Sequence, residues 1–113
     1  MALAMITIII FFQGFMMIFE KLEIPGIYLL KPERFTDERG FFSETYNKKK
    51  FDSLLGKNID FVQDNFSESK KGVIRGIHFQ EYPHSQAKLV RVSFGKVFDV
   101  AVDLRKDSQT YLK

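Results

Sequence analysis

The chain has 113 residues, enough for one domain with a modest core. It contains no cysteine, which excludes disulfides and thiolate metal sites and suits a reducing cytoplasm. Its net charge of +3 comes from interspersed signs rather than a basic block, which argues against nucleic acid as a partner and leaves room for a small phosphorylated ligand.

Thirteen residues are phenylalanine and none is tryptophan, a composition that fits the pleated surface of a β-rich core. Residues 2–19 (ALAMITIIIFFQGFMMIF) carry no charge, with Thr7, Gln13 and Gly14 as the interruptions. This length just reaches the ~18–20 residues of a transmembrane helix. No positively charged region precedes it, however, and the Gln13-Gly14 pair sits near its middle. The preferred reading is an apolar leader from cloning or a misplaced start, over an extra edge strand or a membrane or targeting segment. Residues 1–16 are therefore set outside the fold, which is expected to begin near Met17.

From Phe19 the chain reads as short strands punctuated by turns. Pro25 and Gly26 signal a turn, residues 27–30 (IYLL) a short apolar strand closed by Lys31 and Pro32. Residues 36–40 (TDERG) form a second turn leading into a strand over 41–46 (FFSETY). Residues 47–57 (NKKKFDSLLGK) are the one helical piece: Asn47 can cap it, Phe51, Leu54 and Leu55 fall at helical spacing, and Gly56 can end it. Lys48, Lys49 and Lys50 belong to its solvated face. Strand-like alternation follows over 61–67, 72–80, 88–94 and 97–105, with a tight turn at Gly95 and Lys96. Many short strands with little helix predict an all-β fold, an antiparallel sandwich or barrel of jelly-roll type with at most one short helix.

The run 71–80 (KGVIRGIHFQ), followed by 86–92 (QAKLVRV), places cationic groups among apolar and β-branched residues. Burying such groups without partners costs several kcal/mol, so they tend to face a pocket, a ligand or one another. Alternation puts Lys88 on the face of Val90, Val92 and Phe94, the apolar side of its strand. Snorkelling at the strand end is the plainer reading of Lys88, and a hydrogen-bonded core histidine the plainer reading of His78. Together the two residues suggest a base and a cation that steadies charge developing on oxygen. Arg75 lies three positions from His78 and would point away from it in a regular strand, unless a bulge at Gly76 turns both toward one pocket. A metal is not expected: His78-Phe79-Gln80 replaces the His-x-His of a metal-binding barrel, and the second histidine, His84, follows a proline. No phosphate loop and no nucleophile elbow is present.

Five segments occur in order: 35–44 (FTDERGFFSE), 63–67 (QDNFS), 72–80 (GVIRGIHFQ), 86–92 (QAKLVRV) and 99–105 (DVAVDLR). Together they resemble the dTDP-4-dehydrorhamnose 3,5-epimerases, over nearly all of residues 17–113. The resemblance implies a jelly-roll, cupin-like fold, a cytoplasmic homodimer, and catalysis without metal or organic cofactor. The implied substrate is a dTDP-4-keto-6-deoxy sugar, dTDP-4-dehydro-6-deoxy-D-glucose, epimerised at carbons 3 and 5. It implies that His78 removes the proton next to the keto group and that Lys88 steadies the enolate. Arg39, Glu44, Gln63, Asn65 and Arg75 match positions that bind the nucleotide sugar, the arginines suiting its diphosphate.

Chains of that family are nearly twice as long, so residues 17–113 are expected to be the N-terminal part of one domain. The tyrosine that returns a proton and the aspartate that orients the histidine are expected beyond Lys113. Asp99 and Asp103 are read as structural. The alternatives are a related 3- or 5-epimerase on another nucleotide sugar, and an inactive remnant that binds nucleotide sugar or only dimerises.

Overall fold

The computed structural model describes residues 7–10 and 18–113. Its strands are β1 (Thr7–Ile10), β2 (Ile18–Lys21), β3 (Ile27–Lys31), β4 (Phe35–Asp37), β5 (Gly40–Phe42) and β6 (Lys88–Arg91), with one helix, α1 (Lys48–Leu55), between β5 and β6. Mostly strand with a single short helix is the composition expected of the sequence. What else is expected of residues 1–16 concerns positions outside the described residues.

The pairing differs from the expected all-antiparallel arrangement. The larger sheet has the order β2-β3-β1-β6. β2 and β3 are antiparallel, joined by the turn at Pro25 and Gly26, where Leu22 N–H donates to the Ile27 carbonyl at 3.0 Å. β1 runs parallel to both β3 and β6, pairing Thr7 with Ile27 and with Lys88. Four residues of the stretch set outside the fold thus hold a central position in the sheet. Apolarity alone could not reveal this, because a parallel partner is distant in sequence and leaves no turn signal. The smaller sheet is the β4–β5 hairpin, pairing Phe35 with Phe42.

Register sorts the larger sheet into two faces. Phe19, Tyr28, Leu30, Leu89 and Arg91 share one; Ile27, Leu29, Lys88 and Val90 share the other. The first face carries the packed core, in which Leu30 and Phe51 are buried with Phe19, Tyr28, Leu55, Phe61 and Leu89 against them. Burying Leu30 and Phe51 contributes roughly 1.5–3 kcal/mol each. Tyr28 stacks on Phe19 at 4.9 Å, and Tyr46 meets Phe51 and Phe61 edge-on at 4.9 and 5.7 Å.

α1 forms where its local signals place it. Asn47 Oδ1 accepts from Lys50 N–H at 3.2 Å, and Gly56 closes the helix at φ 63°, where a side chain would be strained. Lys48 Nζ bridges Asp52 at 2.7 Å and Asp60 at 3.0 Å, and Asp52 accepts from Ile59 N–H at 3.0 Å. These bonds fold residues 58–60 back along the helix and deliver Phe61 to the core.

Three of the predicted strands are absent. Among the described residues, 61–67, 72–80 and 97–105 have no ladder partner, and the predicted strand over 41–46 shortens to the end of β5. Alternation says which side of a strand would be buried, but a strand exists only beside another. No described strand lies beside these. The proposed bulge at Gly76 falls with them, since a bulge needs a ladder to interrupt.

Candidate active site

Each candidate residue takes its setting from the element that carries it. Arg39 sits in the tight turn between β4 and β5. Its Nη2 donates to Asp37 Oδ2 at 2.6 Å, its Nε to Oδ1 at 3.3 Å, and its backbone N–H to Oδ1 at 2.9 Å. Arg39 holds the Asp37 carboxyl below its ordinary pKa, and Asp37 raises that of the guanidinium. Glu44 lies half-buried between β5 and α1, with Lys50 Nζ 2.6 Å from Oε1 and Asn47 Nδ2 donating to Oε2 at 3.3 Å. Lys50 first, then Asn47, keeps its carboxyl below the ordinary value. The helix cap therefore also orients a candidate ligand-binding carboxylate.

Gln63 and Asn65 form one exposed unit: Gln63 Nε2 donates to Asn65 Oδ1 at 3.1 Å. The two lie two positions apart in backbone that forms no strand. Arg75 turns back along its own segment, Nε donating to Ser69 Oγ and Nη2 to the Glu68 carbonyl, both at 2.8 Å. His78 is exposed in the unpaired stretch. Lys88 is half-buried at the start of β6, on the sheet face it shares with Ile27, Leu29 and Val90. It shares that face with Val90, as alternation gave, but the packed core lies on the face of Leu89, so Lys88 is not on the core side of its strand. No side-chain hydrogen bond or ion pair engages His78 or Lys88 among the described residues.

Of the seven candidates, the described bonds join one pair, Gln63 and Asn65. Arg39, Glu44 and Arg75 are held by neighbours near in sequence. An open cleft of about 450 Å³ lies elsewhere, lined by Arg34, Phe41, Arg91, Val92, Ser93, Phe94 and Gly95, with none of the seven on its wall. The Arg34 guanidinium lies over the Phe41 ring, 4.3 Å from its centre. Arg91 Nη1 donates to Thr45 Oγ1 at 2.8 Å, tying β6 to the segment that carries Glu44. Sequence reasoning missed this tie. Its one available signal was an arginine inside an otherwise apolar strand.

Among the described residues no three histidine, aspartate or glutamate side chains cluster as metal ligands, and no helix is long and apolar enough to cross a membrane. Chemically, the candidates offer an imidazole, an ammonium, two guanidiniums, two amides and a carboxylate.

A family model described as dTDP-4-dehydrorhamnose 3,5-epimerase matches residues 21–113. The dTDP-4-dehydrorhamnose 3,5-epimerase of Salmonella typhimurium is 55% identical over 96 residues, 85% of this chain and 52% of that protein. Those of Shigella flexneri and Pseudomonas aeruginosa are 54% identical over 93 residues and 50% over 91, covering 82% and 80% of this chain and 51% and 50% of theirs. The chain spans about half the length of the curated relatives it matches.

Proposed function

Since the chain belongs to the dTDP-4-dehydrorhamnose 3,5-epimerase family, we propose that it supplies the base, the enolate-stabilising cation and much of the nucleotide-sugar site of such an enzyme. The substrate is dTDP-4-dehydro-6-deoxy-D-glucose and the product dTDP-4-dehydro-L-rhamnose. The observation that carries this reading is the family match over residues 21–113, an interval that contains all seven candidate residues.

His78 takes the proton from carbon 3 or carbon 5, each next to the carbon-4 ketone. The electrons of the broken C–H bond move onto the ketone oxygen as an enolate, which Lys88 steadies. A proton returned to the opposite face of the sugar inverts the carbon. In support of this role, Lys88 is partly buried on the sheet face that it shares with Ile27, Leu29 and Val90, and a cation in a partly apolar setting attracts a developing oxyanion more strongly than one in bulk water. Arg39 and Arg75 hold the diphosphate, with Glu44, Gln63 and Asn65 on the remaining polar groups of the ligand. Arg39 and Glu44 must exchange their present partners, Asp37 and Lys50, for ligand or share them. The fold in which these groups work is a jelly roll, and the working form a cytoplasmic homodimer with no cofactor.

One observation favours a second reading. His78 lies in exposed, unpaired backbone with no orienting carboxylate bonded to it among the described residues. In that reading the chain binds nucleotide sugar without turning it over.

Deuterium wash-in separates the two. In heavy water the epimerase reading expects uptake at carbon 3 or 5 of the keto sugar, and expects His78→Ala to abolish it while dTDP still binds. Equal uptake by both proteins would remove His78 from its role. Binding of dTDP with no uptake, by the chain as it stands or fused to the remainder of a relative, would favour the second reading.

A further inference from the structure

The two arginines assigned to the diphosphate are held in different ways. Arg75 donates to neutral oxygens, Ser69 Oγ and the Glu68 carbonyl. Arg39 instead meets a carboxylate: Nη2 lies 2.6 Å from Asp37 Oδ2, and Nε lies 3.3 Å from Oδ1 and 3.2 Å from Oδ2. A guanidinium offers the same fork to a carboxylate and to a phosphate. Asp37 thus stands where phosphate oxygens would, and it cancels the charge that would attract them. The pair is exposed, with 87% of the Arg39 side chain and 48% of the Asp37 side chain open to solvent. Exposed ion pairs hold their partners weakly, so a more highly charged anion can displace the carboxylate.

The turn keeps that carboxylate in place. Asp37 ends β4 and pairs in register with Gly40, the first residue of β5. Its Oδ1 also accepts the Arg39 backbone N–H at 2.9 Å, a bond within the turn that does not depend on the guanidinium. When Arg39 turns its side chain to a ligand, Asp37 therefore remains beside it.

We infer that Asp37 is an internal competitor for the Arg39 guanidinium, lowering the affinity of the site for a nucleoside diphosphate and speeding its release. The inference rests on the reading that Arg39 binds the diphosphate of a nucleotide sugar, and deepens it by naming the residue that limits this contact. Binding exchanges the Arg39–Asp37 pair for an Arg39–phosphate pair and leaves the displaced carboxylate next to a second negative charge. Both effects oppose the ligand. As the diphosphate departs, Asp37 takes the guanidinium back. No carboxylate is bonded to Arg75 among the described residues, so Arg75 attracts the diphosphate without such a competitor.

The test is Asp37→Asn, which keeps an oxygen for the Arg39 backbone N–H and removes the charge. Affinities of the 113-residue chain and its variants are measured for dTDP and for thymidine, which has the base and sugar without phosphate. Release of dTDP is timed by displacing a fluorescent dTDP analogue. Asp37→Asn should bind dTDP about fivefold more tightly, chiefly through slower release, with thymidine affinity unchanged. In an Arg39→Ala background the same substitution should gain less than about twofold, because only the long-range charge effect is left.

Equal or weaker dTDP binding by Asp37→Asn, including no binding by either protein, would overturn the proposal. So would a gain shared by thymidine, which would mark a change in the fold, or an undiminished gain in the Arg39→Ala background. Arg39→Ala alone tests the underlying reading. If it binds dTDP as tightly as the wild type, Arg39 leaves the diphosphate site and that reading falls. If it binds weakly while Asp37→Asn gains nothing, the competitor role alone falls.

Discussion

Asp103 and Arg105, two positions apart, close an ion pair on a buried carboxylate: Arg105 Nε donates to Asp103 Oδ1 at 2.8 Å and Nη2 to Oδ2 at 2.9 Å. Thr110 Oγ1 donates to the same carboxylate at 2.7 Å, and Arg105 Nη2 also reaches the Pro25 carbonyl at 2.7 Å. The pair therefore ties the last described residues to the turn between β2 and β3, a link that Lys113 strengthens through Glu23 at 2.7 Å. Asp103 is buried whereas Asp99 is exposed. Asp103→Ala should lower stability by about 3 kcal/mol, and Asp99→Ala by less than about 0.5 kcal/mol. Urea unfolding of the two variants checks the difference.

The same carboxylate sets an acid limit. Arg105, foremost, with the Ser108 and Thr110 hydroxyls, holds its pKa well below the usual carboxylate range, against the opposing effect of burial. A folded value below the unfolded one means the stabilisation is fully present above about pH 4 and is lost as pH falls toward the folded value. The wild-type urea midpoint should begin to drop as pH falls through about 4 and keep dropping below about pH 3. In Asp103→Asn the drop should be shallower, and an identical drop would assign the acid sensitivity to other carboxylates.

Asn47 links helix stability to the site, capping α1 through Lys50 N–H while its amide holds Glu44. Replacing it with alanine should cost about 1 kcal/mol of stability. Asn47→Ala should also weaken dTDP binding, whereas Gly56→Ala, which strains only the far end of the helix, should destabilise without that loss. Thermal melts and dTDP titrations on both variants read the contrast.

Arg75 and Lys88 should separate binding from turnover. Arg75→Ala should lower dTDP affinity about tenfold, with a smaller salt dependence than the wild type, since one charged contact to the diphosphate is lost. Lys88→Met keeps the length and removes the charge. It should leave dTDP affinity nearly unchanged and slow deuterium uptake about 100- to 1,000-fold. A Lys88→Met protein with full uptake and poor nucleotide binding would reverse the two assignments.

Local chemistry made part of this structure legible. α1 lies between Asn47 and Gly56, because caps act within one turn and can be read in place. β3 and β6 follow their apolar runs, whereas Lys88, expected on the core side, shares with Val90 the face opposite the packed core. What stayed hidden depends on distant partners. The parallel pairing of Thr7–Ile10 with β3 and β6 leaves no turn or spacing to find. Residues 72–80 alternate as a strand would, yet alternation contains no information about whether a neighbour is there. Asp99 and Asp103 have the same parity, and only the return of residues 108–113 onto Asp103 distinguishes them. Within the site, residue types and spacing brought Gln63 and Asn65 together. The path that turns Arg75 back to Glu68 and Ser69 was set by loop conformation, which spacing does not encode.

The central claim is that His78 is the base that opens the carbon–hydrogen bond beside the ketone. Its most direct test is proton NMR of dTDP-4-dehydro-6-deoxy-D-glucose in heavy water, with the chain and its His78→Ala variant each complemented by the unmatched half of the Salmonella typhimurium relative. The account predicts loss of the carbon-3 and carbon-5 proton signals with the wild-type chain and retention of both with His78→Ala, at equal dTDP occupancy. Signal loss at the same rate in both would contradict it.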